Sequence, residues 1–181
     1  MQTLATVQNG VNIDAVLRTR DAVAAAPEDA RFAWRASTRW INGTHTETSV
    51  ESFYGFGGEQ RHRTAFTLST DHPTILAAED NGATPMELVL AGLAGCLTAG
   101  IASIAQLREI ELNAVTATLE GTMDLRGILG IDREVRNGFD AITVTTISMP
   151  RAVGLKSKHW LHNHNDDPPS STSLRIQRAS P

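Results

Sequence analysis

The chain has 181 residues, of which 41% are hydrophobic, and its formal net charge is −4. This composition predicts a globular protein with one main domain, and its negative charge argues against nucleic acid as a partner. We find no apolar run long enough to span a bilayer and no signal-peptide pattern, and there is one cysteine, so we expect no membrane partner and a cytoplasmic location.

The first 30 residues predict a helical extension. Apolar residues are spaced as on one helix face over residues 12–30, with Asn12 as a suitable N-cap and Pro27 near the end. We interpret residues 1–30 as a leading helix that precedes the main domain.

The segment from residue 31 predicts an antiparallel sheet. Residues 31–41 alternate between an apolar face and a face that carries Arg35 and Arg39, which is the pattern of a half-buried strand. Asn42-Gly43 is a strong hairpin signal. Further strands are predicted at residues 44–53 and 62–69.

A long central helix is predicted from about residue 85 to residue 107. Thr84, Pro85 and Glu87 form a capping-box pattern with proline at the first helical position. The helix would be about 34 Å long at 1.5 Å per residue. Its apolar face consists of Met86, Leu90, Leu93, Leu97, Ile101 and Ile104.

Cys96 lies at the edge of that apolar face, with Gly92, Ala99 and Gly100 one turn away. Each glycine in a helix interior costs about 1 kcal/mol relative to alanine, which suggests that small residues are needed here. Two interpretations remain open. The small residues permit close packing around an inert cysteine, or they leave room for a substrate or another chain segment.

The part after the helix predicts more sheet and then a divergent tail. The predicted elements are a strand at residues 112–125, a turn at glycines 127 and 130, a short helical turn at 132–138 and a strand at 141–148. We therefore place the main domain at residues 31–148. Residues 149–181 contain a low-complexity stretch and predict a poorly ordered tail, or a shift of the coding frame near residue 149. The histidines in this tail do not predict a metal site.

The helix and its surroundings resemble the OsmC/Ohr family, the osmotically inducible and organic-hydroperoxide-resistance proteins of bacteria. The resemblance is carried by Thr84-Pro-Met-Glu-Leu-Val-Leu-Ala-Gly-Leu-Ala-Gly-Cys96, by Asp71-His-Pro73 and by Glu79-Asp-Asn-Gly82. Gly127-Ile-Leu-Gly130 and Glu134-Val-Arg-Asn-Gly138 are similar to a subgroup of the family. The whole resemblance covers about residues 31–147.

This resemblance implies an α+β fold in which an antiparallel sheet packs on a long central helix, within an intertwined homodimer. Active members of the family are thiol peroxidases of the oxidative stress response. A peroxidatic thiolate attacks an organic hydroperoxide, a second cysteine forms a disulfide with it, and an external dithiol reduces the disulfide. An arginine and a glutamate hold the first thiol as thiolate. We expect no cofactor and no metal.

The candidate catalytic residues follow from that pattern with some departures. Cys96 matches the peroxidatic cysteine, but there is no second cysteine, so an external thiol reductant is required. The family's glutamate lies ten residues before the cysteine, whereas Glu87 lies nine before, about 13 Å away along the helix and on the opposite side. A partner chain could present it. Arg35 and Arg39 are the candidates for the arginine, with Arg63 as a third.

Three functional interpretations therefore compete. The first is a peroxidase that reduces organic hydroperoxides through Cys96 with an external thiol. The second is a non-catalytic relative that binds a small apolar ligand. The third is a truncated or frame-shifted family member without activity.

Overall fold

The structure, a computed structural model, describes residues 9–150 and 171–177 and divides the chain into two compact units. One unit is Asn12–Val89, and the other comprises Met1–Val11 and Leu90–Pro181. Each contains an antiparallel sheet, and a long helix crosses the division. The fold class is therefore α+β, as predicted. The division does not follow the predicted segments 1–30, 31–148 and 149–181, which stay a prediction.

The first unit begins with the predicted leading helix, α1, at Ile13–Ala25. The Asn12 side chain accepts a hydrogen bond from the backbone N–H of Ala15 at 2.9 Å, which confirms the predicted N-cap. The helix ends earlier than predicted because Pro27 starts a separate 3-10 turn, Pro27–Ala30.

The sheet of the first unit is centred on strand β3, His45–Gly55. Strand β4, Gly58–Thr70, pairs along one edge of β3, while β1, Ala33–Trp34, and β2, Ser37–Asn42, pair in succession along the other. The strand predicted at residues 31–41 is thus two strands with a break between them.

The predicted hairpin at Asn42-Gly43 is present with a shifted turn. Asn42 still belongs to β2 and pairs with His45, so Gly43 and Thr44 form the turn. Gly43 has a φ of 54°, in the left-handed region that glycine adopts without strain. A two-residue turn with glycine first suits the twist of the strands that it connects.

The long central helix, α2, runs over Pro85–Leu107, where the sequence predicts it. The predicted capping box is present because the Glu87 backbone N–H donates to Thr84 Oγ1 at 3.2 Å while the Thr84 backbone N–H donates to Glu87 Oε2 at 2.8 Å. Only Ala105 and Gln106 of this helix are buried.

By length and composition, α2 could cross a membrane, so the expectation that no apolar run reaches this length is wrong. The reason is that glycine, alanine, serine and threonine interrupt the apolar residues without introducing a charge between Leu88 and Leu107. One such helix is weak evidence for a membrane span, because core helices of soluble proteins pass the same test.

The second unit contains a sheet of three antiparallel strands in the order β5-β6-β7. They are Leu112–Thr122, Ala141–Pro150 and Ser171–Gln177. A short helix, α3, lies at Leu125–Ile128, so the helical turn precedes the segment 132–138 where it was predicted. Asp124 caps α3 by accepting a hydrogen bond from the Arg126 backbone N–H at 2.9 Å.

Strand β7 lies within the segment for which the sequence predicts a divergent tail. It pairs with β6 from Ala141↔Gln177 to Ile147↔Ser171. The sequence does not predict this strand, because it is short, lies in a polar low-complexity stretch and pairs with a strand that is distant in the chain. Residues 151–170 and 178–181, with the three histidines, lie outside the described residues.

Candidate functional site

Cys96 is the only cysteine of the chain, and α2 carries it on an exposed surface. Its helical neighbours Gly92, Gly95 and Ala99 are exposed as well. A Cβ atom built on Gly92, Gly95 or Gly100 meets nothing within 4 Å in the described part of the chain. Within the described part of the chain, the thiol is therefore exposed beside unfilled glycine positions, and a reactant can reach it.

Glu87 is held at the first turn of α2 by Thr84. Its Oε2 accepts hydrogen bonds from the backbone N–H and the hydroxyl of Thr84, at 2.8 and 2.9 Å. The N–H and then the hydroxyl lower the pKa of Glu87 below its ordinary value, while burial acts in the opposite direction. In this chain Glu87 is a helix cap, and its contribution to catalysis stays a prediction.

Arg35 and Arg39 each form an ion pair on the sheet of the first unit. Arg35 Nη1 and Nη2 donate to the two carboxylate oxygens of Glu59 at 2.6 and 2.9 Å. This hydrogen-bonded pair raises the pKa of Arg35 and lowers that of Glu59. Arg39 Nη2 donates to Glu47 Oε1, opposite it on β3, at 2.8 Å.

The four predicted site residues are not assembled within either unit. Arg35, Arg39 and Glu87 belong to Asn12–Val89 and have the separate partners just described, whereas Cys96 belongs to the other unit. Exposed ion pairs of this kind contribute little to stability. The role of the two arginines beside the thiol stays a prediction.

Asp71 is not among the predicted site residues, but its side chain is 1% exposed and holds the loop before α2. Its Oδ1 accepts hydrogen bonds from Thr44 Oγ1 at 2.5 Å and from the His72 backbone N–H at 2.8 Å. Its Oδ2 accepts from the backbone N–H and the side-chain amide of Asn81, at 3.1 and 2.8 Å. We call these four residues the Asp71 cluster.

The Asp71 cluster is an anchor for the loop rather than a reactive group. The Thr44 hydroxyl, with the hydrogen bonds from Asn81 and His72, holds the pKa of Asp71 far below its ordinary value, although burial opposes this. Both carboxylate oxygens are occupied, so Asp71 is a poor general base and a poor metal ligand. In the sequence, Asp71 is marked only by the resemblance of Asp71-His72-Pro73 to the family. No local sequence pattern predicts that a single aspartate is buried.

A metal site is not found in the part of the chain that the structure describes, where no group of three or more His, Cys, Asp and Glu side chains could hold an ion. The histidines considered in the sequence analysis are outside that part.

Comparison with known proteins gives a family match for the segment that carries the thiol. Residues 78–153 match the family model described as OsmC-like protein, and the match includes all of α2 and Cys96. The resemblance recognised in the sequence is thus confirmed over residues 78–153, which are similar to the OsmC-like family. A search of curated proteins found no match.

Proposed function

We propose that the protein is an OsmC-like thiol peroxidase that reduces organic hydroperoxides through Cys96. The observation that carries the proposal is the exposed thiol of the only cysteine, surrounded by small residues on the helix that lies within the OsmC-like segment. A thiolate is the nucleophile in such chemistry, and exposure gives the hydroperoxide access to it.

The reaction consists of two redox steps. The Cys96 thiolate attacks the distal peroxide oxygen, the O–O bond breaks, and the products are Cys96 sulfenic acid and an alcohol that takes up a proton. An external thiol then condenses with the sulfenic acid and releases water, and a second external thiol reduces the mixed disulfide. The chain has no second cysteine, so both reducing equivalents come from the external thiol.

The test is mass spectrometry of the full-length folded protein after addition of stoichiometric cumene hydroperoxide, with dimedone present to trap sulfenic acid. We expect one dimedone adduct at Cys96 and, without dimedone, turnover in the presence of a small-molecule dithiol. Cys96→Ser is the inactive control. A Cys96 that stays reduced in folded protein, or full activity of Cys96→Ser, would contradict the proposal.

A second candidate function is non-redox binding of a small apolar ligand along α2. It is favoured by the partners of Glu87, Arg35 and Arg39, each of which interacts with a group other than the thiol. It is also favoured by the largely exposed apolar surface of α2. A ligand that binds Cys96→Ser as tightly as the unmodified protein, combined with absence of hydroperoxide turnover, would select this function.

We further propose that the chain is a homodimer in the cytoplasm. Only 6% of the most apolar stretch of α2 is buried within the chain, and Ile104 and Leu107 are 45% and 52% exposed. Soluble monomers rarely leave a contiguous apolar surface of this kind uncovered. A second copy is the simplest cover, and it could also present the residues that Cys96 lacks in its own unit.

A further inference from the structure

The chain contains four Asn-Gly pairs, which begin at Asn9, Asn42, Asn81 and Asn137. Asparagine is thermolabile, and glycine after it is the most reactive context because a residue without Cβ lets its backbone nitrogen approach the asparagine side chain. By sequence alone the four pairs are equivalent. The structure separates them by the hydrogen bonds of the asparagine side chains.

Two of the pairs are held. The Asn81 side-chain amide donates to Asp71 Oδ2 at 2.8 Å and to Glu79 Oε2 at 3.2 Å. The Asn9 side chain donates to the Ile110 carbonyl at 2.7 Å and accepts from the Leu112 backbone N–H at 3.0 Å. Rotation of either side chain toward the following glycine requires these bonds to break.

The other two asparagines are not held by their side chains in the described part of the chain, although the backbone of Asn42 pairs with His45 in the sheet. Asn42 and Asn137 are exposed, and their side-chain amides form no hydrogen bond in the described part of the chain. The backbone N–H groups of Gly43 and Gly138, which would be the nucleophiles, donate no hydrogen bond there either. Exposure alone would not distinguish the pairs, because Asn81 is also exposed.

We propose that Asn42 and Asn137 are the sites of spontaneous deamidation in the folded protein and that Asn9 and Asn81 are protected. The backbone nitrogen of the glycine attacks the asparagine side-chain carbon and loses its proton, and ammonia leaves as a five-membered succinimide closes. Water then opens the ring at either carbonyl, which yields aspartate or isoaspartate. No reactant other than water is needed.

The change at Asn42 has a structural consequence beyond one added negative charge. Isoaspartate lengthens the backbone by one methylene group in the two-residue turn between β2 and β3. Thr44, in the same turn, donates its hydroxyl to Asp71 at 2.5 Å. Deamidation at Asn42 therefore displaces Thr44 and weakens its hydrogen bond to Asp71. This loosens the loop that leads into α2.

The test compares the four sites by peptide mapping after incubation of the full-length protein at mildly alkaline pH, folded and in concentrated urea. In urea all four asparagines should convert at similar rates. In the folded protein, Asn42 and Asn137 should stay within a few-fold of the rate in urea, and Asn9 and Asn81 should be slower by about tenfold or more, as two broken hydrogen bonds imply.

Asp71→Asn provides a matched variant, since it removes one of the two carboxylates that hold the Asn81 side chain and leaves Asn9 untouched. Asn81 should then deamidate faster by about tenfold while Asn9 stays protected. Equal rates at Asn81 and Asn42 in the folded unmodified protein, or protection of Asn42 and Asn137 equal to that of Asn9, would overturn the proposal. If Asp71→Asn does not fold, the comparison of the four sites in the unmodified protein still decides the question.

Discussion

Substitution of glycine by alanine should have opposite effects on the free energy of unfolding at two positions, Gly82 and Gly92. A Cβ built on Gly82 overlaps the carbonyl oxygen of Ser69 and lies 2.6 Å from its carbonyl carbon and 3.1 Å from the Thr70 nitrogen. These are backbone atoms of a paired strand and cannot rotate away. A Cβ built on Gly92 meets nothing within 4 Å in the described part of the chain.

The magnitudes follow from these environments. Gly82→Ala forces a backbone shift that costs about 1–3 kcal/mol, and loss of the adjoining bridge between Thr70 and Ala83 would add about 1 kcal/mol. Gly92→Ala should stabilise the protein by about 1 kcal/mol, because alanine is the better helix former and restricts the unfolded chain.

The assay is urea denaturation followed by circular dichroism at one protein concentration. For a slope of about 2 kcal/mol per molar urea, Gly82→Ala should lower the midpoint by about 1–2 M and Gly92→Ala should raise it by about 0.5 M. Gly58→Ala, whose Cβ also meets nothing within 4 Å, is the control for the overlap and should not lower the midpoint. An unchanged midpoint in Gly82→Ala would refute the reasoning. A lowered midpoint in Gly92→Ala would contradict the predicted stabilisation.

Two further predictions concern acid stability and assembly. The pKa of Asp71 is lowered in the folded state, so its stabilisation is present above its unfolded pKa of about 3.9 and is lost as the pH falls below that value. Asp71→Asn should therefore lower the urea midpoint most at neutral pH, with a difference that shrinks in strong acid; a difference independent of pH would contradict this. Ile104→Glu should convert the proposed dimer to monomer in light scattering, because it places a charge in the apolar surface of α2. Ile75→Glu, at a position that is 88% exposed outside α2, should leave the dimer intact, and a stable monomer in the unmodified protein would refute the proposal.

The sequence by itself determined the elements whose causes are local. The bounds of α2 were predicted correctly because the capping box of Thr84 and Glu87, Pro85 at the first position and the 3.6-residue period all lie within the helix. The cap of α1 by Asn12 was predicted for the same reason. The sequence also identified Cys96 as the candidate nucleophile, since a lone cysteine in a family-specific helix requires no knowledge of distant contacts.

Only the tertiary structure decided the interactions between residues that are distant in the chain. Arg35 pairs with Glu59, 24 residues away, because β1 and β4 flank the same end of β3. The buried carboxylate of Asp71 accepts a hydrogen bond from the Thr44 hydroxyl, which belongs to a turn 27 residues earlier in the chain. Strand β7 exists because β6 offers it an edge. Strand pairing and side-chain burial depend on partners whose positions are set by the whole chain, so no local pattern predicts them.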